Sequence, residues 1–384
     1  MMEIATYSQT CPTIFGTGAV KLIGEKAKEL NITKAMIVTD EGLVKVGVAA
    51  KVEGLLKEAG IEVVIFDKVM PDPLDTVCNE GGEVARLEHV DGIVGLGGGS
   101  VMDAAKAINI LTTNPAPISQ WYERWDYKKG LPIILVPTTA GTGSENTIYG
   151  VITNSATGAK KVVLTTGTLA ICDPELTYKL PPHLTASTGM DVFAHAAESM
   201  TTIVTNPMTT MLSFDAIRKV TKWLPVAYRE PTNIEARENM MLASNFAGIA
   251  FSNTCCHLGH AISQCMGAAF HVPHGISCAW ALPETMAFAA IGKFEEVKGV
   301  ADALGVEYSD SDSPQVLGKK VADNMRAFMK SMDIKSIADY GITKEQLVGI
   351  ADMIMADNCW PFIPSPLTKA ELEEILVKVY DNYK

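Results

Sequence analysis

The stretch "DGIVGLGGGSVMDAAKAINIL", residues 91–111, decides the fold. Its first half is a short apolar run that ends in glycines, and its second half, from Val101 to about Leu111, carries apolar residues at helical spacing. A strand that runs through bare glycines into a helix is the turn of a βαβ unit. The same rhythm extends on both sides of it. "AMIVTD" (35–40) and "EVVIFDKV" (62–69) read as strands, with helical patterns near 46–59 and 76–88, and "LPIILVPTTAGTGSE" (131–145) is a further buried strand entering a hydroxyl-rich loop. The alternation predicts a parallel sheet.

The rhythm stops at "KLPPHLTASTG" (179–189), after which the chain reads almost wholly as helices, at 189–204, 207–224, 233–254, 257–268 and beyond. With roughly 150 residues to a domain, 384 residues suggest two. The reading is a Rossmann-like α/β dinucleotide-binding domain over 1–182 and an all-α domain over 183–384.

Composition narrows the function. With 32 basic against 44 acidic residues, a net charge of -12 and no basic run, the field of the protein repels nucleic acid and anionic membranes. Eight cysteines without regular spacing do not suggest a secreted disulfide framework, and "MMEIATYSQTCPTIFGTG" (1–18) carries no export pattern. No apolar run approaches the ~20 residues of a membrane span. The expectation is a cytoplasmic protein acting on a small molecule.

The glycine loop, Gly95–Ser100, lets backbone approach a pyrophosphate at a helix N-terminus. It departs from the dinucleotide fingerprint G-x-G-x-x-G in having Ser100 at the last glycine, and taken alone it is also compatible with a tight turn that binds nothing. The second loop, Pro137–Glu145, offers Thr138, Thr139, Thr142 and Ser144 at the end of another strand, where open α/β sheets bind ligands. Asp40, ending "AMIVTD", would accept from a ribose 2′-hydroxyl and repel a 2′-phosphate, favouring NAD over NADP; as a turn or capping residue it would do neither.

Four of the seven histidines, His257, His260, His271 and His274, lie within "CCHLGHAISQCMGAAFHVPHG" (255–275). Asp191 and His195 in "TGMDVFAHAAES" (188–199) are four apart on one helical face. One carboxylate and three imidazoles suit Fe(II) or Zn(II) with a position left open. Each histidine singly would serve as well as a core residue bonded to backbone carbonyls.

The four motifs "GLGGGSVMDAAK", "PTTAGTGSE", "TGMDVFAHAAES" and "GHAISQCMGAAFHVPHG" with its fourteen-residue interval between His260 and His274, in this order and nearly end to end, resemble the iron-containing (group III) alcohol dehydrogenases. The resemblance implies a dehydroquinate synthase-like fold and a metal held by Asp191, His195, His260 and His274. It also implies NAD held by Gly97, Gly98, Ser100, Thr138, Thr139, Thr142 and Lys160. The implied reaction is reversible hydride transfer between a small alcohol or diol and its aldehyde, in the cleft between the two domains, by a homo-oligomer. Phe251, Tyr149 and Cys359 match the family's substrate-pocket wall. Gln264 departs from the pattern, because family members commonly carry a second histidine there. His271 or His257 would then supply the titratable group, with His257 the more structural of the two. Dehydroquinate synthase, polyol dehydrogenases of the same superfamily and a non-catalytic NAD and metal sensor are the rival readings.

Overall fold

A computed structural model describes residues 5–383 of the chain; the first residues of the amino-terminal stretch read above for export signals lie outside them. The α/β half runs β1 (Thr13–Phe15), α1 (Ile23–Glu29), β2 (Lys34–Val38), α2 (Glu41–Lys45), α3 (Val48–Glu58), β3 (Glu62–Phe66), α4 (Asp75–Leu87), β4 (Gly92–Gly97), α5 (Gly99–Leu111), β5 (Ile133–Pro137), β6 (Tyr149–Thr153), β7 (Lys160–Leu164) and β8 (Leu169–Cys172). Six strands form a parallel sheet in the order β1-β8-β5-β4-β2-β3, while β6 and β7 make a separate antiparallel hairpin. The chain moves outward from β2 to β3, then returns to the other side of β2 with β4, so the strand order reverses between β2 and β4. The crevice at the carboxyl ends of those two strands is where such sheets take ligands.

Both faces of the sheet are covered, as a parallel sheet requires. Met36, Val38, Ile93 and Leu135 point into one core with α4 and α5 residues such as Cys78, Met102 and Ile108. Ala35, Ile37, Val94, Leu96, Ile134 and Val136 alternate into the other, against Ile23, Val52 and Leu56 of α1 and α3. The expected strands at 35–40 and 62–69 stop sooner, and the helix expected near 46–59 is α3, preceded by a short α2 that the periodicity did not assign. Asp40 causes the first difference: its carboxylate accepts from the backbone N–H of Leu43 at 3.0 Å and starts α2. The strands β1, β6, β7 and β8 lie in stretches whose periodicity assigned nothing.

The helical half contains α6 (Pro182–Thr201), α7 (Pro207–Arg229), α8 (Ile234–Thr254), α9 (Leu258–Phe270) and α10 (His274–Gly292), followed by shorter helices to Asn382. Helix α6 begins well before the expected 189, because Pro181 and Pro182 sit at its N-cap and first position, where a missing N–H costs nothing. Helix α7 opens on a capping box between Asn206 and Thr209 and continues through Pro225 to Arg229. From Thr185 to Thr201 every residue of α6 except Thr188 is buried, and the helix packs against α7, α8 and α10. A helix buried all round is normally apolar. This one carries Asp191, His195 and Glu198, each of which needs a partner.

The described chain groups into two compact units, Gln9–Thr139 with Gly143–Lys179, and Leu180 onward with Ala140–Thr142 and the residues before Gln9. Ser8 is tied to the helical unit by paired hydrogen bonds with the Asn253 side chain, at 2.8 and 2.9 Å.

Candidate metal centre and cofactor loops

The metal candidates come from three helices. Asp191 and His195 are one turn apart on α6, His260 lies in the first turn of α9, and His274 opens α10. One potential ligand atom from each of the four lies within 4.8 Å of every other. The Asp191 Oδ1 stands 3.6 Å from His195 Nδ1, 3.7 Å from His260 Nε2 and 3.4 Å from His274 Nε2. Phe251 of α8 lies flat on the His195 ring, with centroids 4.1 Å apart, and the rings of His195 and His260 stack at 4.5 Å.

Exposure within the cluster is uneven: the side chains of Asp191, His195 and His260 are 3, 6 and 5% exposed, that of His274 41%. The cluster is walled by three donors and open at the fourth.

Two tests ask whether these residues fit a metal ion. First, two N or O donors bound at 2.0–2.2 Å to one tetrahedral ion lie about 3.4 Å apart, and the carboxylate–imidazole separations cluster near that value. Second, His195 Nδ1 is buried without a hydrogen-bond partner, a costly state that a cation relieves. The residues fit.

The electrostatics of Asp191 and His195 agree with that state, whereas, against burial, the neighbouring thiols and carboxylate raise His260 and bring His274 up to about 9, protons that a bound cation would displace. Burial alone would raise the Asp191 carboxyl, but the imidazoles of His195, His274 and His260 hold it below the usual carboxylate range. Burial pushes His195 down to about 3, keeping it neutral. An ionised carboxylate and a neutral imidazole are the forms that ligate.

A residue that periodicity did not single out organises the centre. Glu198, fully buried on α6, accepts from His260 Nδ1 at 2.6 Å and from the backbone N–H groups of His257, Gly259 and His260 at 3.3, 2.5 and 3.2 Å. Burial would raise its pKa; His257, His260 and the Gly259 N–H bring it down to about 2. The carboxylate therefore caps the start of α9 and fixes His260 so that Nε2 faces the cluster. The approach is close enough that a Cβ on Gly259 would meet Glu198 Oε1 at 2.5 Å. The signal was in the spacing: Asp191, His195 and Glu198 stand at i, i+4 and i+7, one face of one helix. Ser263 does the same for His274, with its Oγ 3.1 Å from Nδ1.

His257 is fully buried, its Nε2 2.8 Å from Thr201 Oγ1. His271 ends α9 in a left-handed conformation, φ 56°, and is exposed. Among the described residues it shares no recorded contact with the four. Gln264 donates to Cys359 Sγ at 3.4 Å, and Tyr149 begins β6, its carbonyl accepting from Lys106.

On the α/β unit, Gly97 ends β4, Gly98 is the N-cap of α5 and Ser100 lies in its first turn. A Cβ on Gly97 would meet Val101 at 2.5 Å, so the bare residue lets the helix seat on its strand. Asp40 follows the neighbouring strand β2 across the reversal point, at the N-cap of α2, and Thr39 ties the two strand ends by donating to the Leu96 carbonyl at 2.9 Å. Thr138 and Thr139 follow β5 in this unit, whereas Thr142 belongs to the short stretch that groups with the helices. Lys160, opening β7, pairs with Asp72.

The second loop is anchored by a residue no motif assigned a role. Lys106, fully buried on α5, donates to the carbonyls of Ser144, Thr147 and Tyr149 and to the Ser144 and Thr147 hydroxyls, at 2.6–3.2 Å. Burial lowers its pKa, and Asp103 opposes the shift.

The sequence model of the iron-containing alcohol dehydrogenases matches residues 12–174, and that of the family's C-terminal domain matches residues 185–380. The NAD-dependent methanol dehydrogenase of Bacillus methanolicus is 35% identical over 369 residues, covering 95% of this chain and 97% of that one. A crystal structure of 1,3-propanediol oxidoreductase superposes with a TM-score of 0.94 at 33% identity, covering 98% of this chain and 100% of the other. A sulfoacetaldehyde reductase from Bifidobacterium kashiwanohense, solved in complex with NAD+, superposes at 0.88 with 29% identity, covering 99% of both chains. The doubly wound sheet, the helical half and these matches across nearly the whole length have one explanation: the chain belongs to the iron-containing alcohol dehydrogenase family.

Proposed function

We propose that this protein interconverts a small primary alcohol or diol and its aldehyde by hydride exchange with NAD(H), using Fe(II) or Zn(II) held by Asp191, His195, His260 and His274. As a member of its family the chain is an oxidoreductase, and the synthase and sensor readings are not favoured. The observation that carries the proposal is the convergence of those four donors around an unpartnered His195 Nδ1. When bound, the metal supplies Lewis acidity that lowers the pKa of an adjacent hydroxyl, and the nicotinamide supplies the hydride acceptor.

The protein's own residues prepare the site. Glu198 and Ser263 fix the rings of His260 and His274 by their Nδ1 atoms, so that each Nε2 faces inward. Phe251 covers His195 and keeps water from that side. His274 leaves the remaining side accessible. On the sheet, the amides beside Gly98 and the dipole of α5 suit a pyrophosphate, with Ser100, Thr138 and Thr139 as hydroxyl donors; Thr142 and Lys160 complete the set of residues proposed for the cofactor. Asp40 uses one carboxylate oxygen to cap α2, and the other would accept from the ribose hydroxyls of NAD.

His271 is the exposed imidazole this chain offers in exchange for the one missing at Gln264; an unchanged pH–rate profile in His271→Ala would remove it from the mechanism. The eight cysteines all stand as free thiols, in keeping with a reducing cytoplasm. No described helix is long and apolar enough to cross a membrane. The homo-oligomeric state belongs to this proposal too, and light scattering decides it.

The test is anaerobic NAD reduction over a panel of short alcohols and diols, with protein stripped of metal and reloaded with Fe(II) or Zn(II). Turnover is expected only after reloading. His260→Ala should lose metal and about a thousandfold or more in rate, the scale of several kcal/mol of lost charge stabilisation. Full activity in stripped protein or in His260→Ala overturns the assignment.

A further inference from the structure

One side chain of the helical unit meets the metal cluster without belonging to the four. Cys278 lies one turn after His274 on α10, so its thiol and that imidazole share a face of the helix. It is 1% exposed. A buried free cysteine ordinarily packs among hydrocarbon, as Cys78 does in the core beside α5. The surroundings of Cys278 are polar instead: its Sγ lies 3.6 Å from Asp191 Oδ1, 3.6 Å from His274 Nε2, 3.9 Å from His260 Nε2 and 3.2 Å from Ser263 Oγ.

Those separations can be compared with what a shared ion demands. A sulfur at 2.3 Å and a nitrogen or oxygen at 2.0–2.1 Å from one five-coordinate centre, at angles of about 90–120°, lie about 3.1–3.8 Å apart. The thiol therefore stands from Asp191 and His274 at the distance of a co-ligand, as those two stand from each other. A second observation points to the same centre: His195 Nδ1, 3.6 Å from Asp191 Oδ1, is buried without a hydrogen-bond partner. With Cys278 included, donors surround the Asp191 carboxylate from α6, α9 and α10.

We propose that Cys278 is a fifth protein donor of this metal centre, binding as thiolate beside Asp191, His195, His260 and His274. The inference rests on the four-residue metal reading above and extends its ligand chemistry. On metal binding the thiol proton passes to solvent, and no redox change is involved. Two consequences follow from the softness of sulfur. The site favours Zn(II) over Fe(II) more than an all-nitrogen-and-oxygen set would, and it leaves fewer positions for solvent. A thiol that merely donates a hydrogen bond to Asp191 would do neither.

The experiment is a Co(II) titration of metal-free full-length protein, followed in the visible and near-ultraviolet, for the wild type, Cys278→Ser, Cys278→Ala and Cys256→Ala. Cys256 is the control because its thiol lies near Glu198 and the opposite nitrogen of His260. The wild type should show visible ligand-field bands that saturate, together with a near-ultraviolet sulfur-to-cobalt charge-transfer band. Both Cys278 variants should keep the visible bands and lose the near-ultraviolet one, whereas Cys256→Ala keeps both. In competition with a chelator, the Cys278 variants should hold Zn(II) at least tenfold less tightly, the order lost even with outer-sphere partners. Saturable visible bands without charge transfer in the wild type overturn the role of Cys278 and leave the four-residue site standing. A near-ultraviolet band that survives both Cys278 substitutions, or vanishes with Cys256→Ala alone, overturns it as well. No saturable cobalt signal in the wild type sinks the four-residue reading and this one together.

Discussion

The loops at the carboxyl end of the sheet and the histidine cluster among the helices are made of opposite materials. At the sheet, the groups offered to a ligand are largely main chain: a glycine where a Cβ would strike Val101, a helix N-terminus, and hydroxyls on a loop. Among the helices the groups are side chains on three different elements, and two of them, His260 and His274, are held by a second residue behind the ring. The first kind of site is encoded by what is missing and by local order along the chain. The second is encoded by distances between residues more than sixty positions apart, as Glu198 and His260 are.

That contrast can be broken by Lys106, the side chain on which the second loop depends. Lys106→Met keeps the bulk but leaves three carbonyls, two hydroxyls and the nearby Asp103 without their cation. A loss of about 3–5 kcal/mol in urea unfolding is expected, as for one partner removed from a buried ionic network. A loss under about 1 kcal/mol would mean that the loop holds itself by backbone alone.

Glu198→Gln sharpens the comparison from the other side. It keeps the shape of the side chain and removes the charge that orients His260, so metal affinity should fall about 10–100-fold with the fold intact, read by chelator competition and circular dichroism. Unchanged affinity would make Glu198 a helix cap and nothing more. Gly97→Ala tests the sheet: Val101 must move, at a cost of about 1–3 kcal/mol by thermal unfolding, and NADH binding followed by fluorescence should weaken while metal content stays constant.

The smallest effect separates the two duties of Asp40. Asp40→Ala should cost about 1 kcal/mol of stability through the lost cap on α2, whereas Asp40→Asn should cost nearly nothing. Both should narrow the preference for NAD over NADP. If the Asn variant keeps the wild-type preference, capping is the whole of its role.

How far the sequence could be read follows the same division. β2, β3, β4 and β5 were legible because each apolar run is bounded by glycine, proline or a capping residue within the run's own neighbourhood. β1 and the β6–β7 hairpin were not, since most of their residues are only partly buried and each strand is short. The start of α6 was hidden by Pro181 and Pro182, which look like a break and are an N-terminus. Asp191, His195, His260 and His274 stood out by residue type, and the structure brings them together. Ser263 and Cys278 did not, because a serine or cysteine on a buried helix has no signature until its distance to an imidazole is known; Glu198 was marked only by its helical spacing from Asp191 and His195. His271 stood out by type, yet it is exposed and shares no recorded contact with the four.

The uneven exposure of the cluster separates how tightly an ion is held from how fast it is exchanged. Affinity is the joint work of every donor, three of them almost sealed, but an ion or a chelator can pass only where His274 is open to solvent. An ion held there would load and leave on the His274 side, past an imidazole whose Nδ1 lies 3.1 Å from Ser263 Oγ and whose Nε2 lies 3.6 Å from Cys278 Sγ, so retention would depend on all the donors and exchange on that one ring.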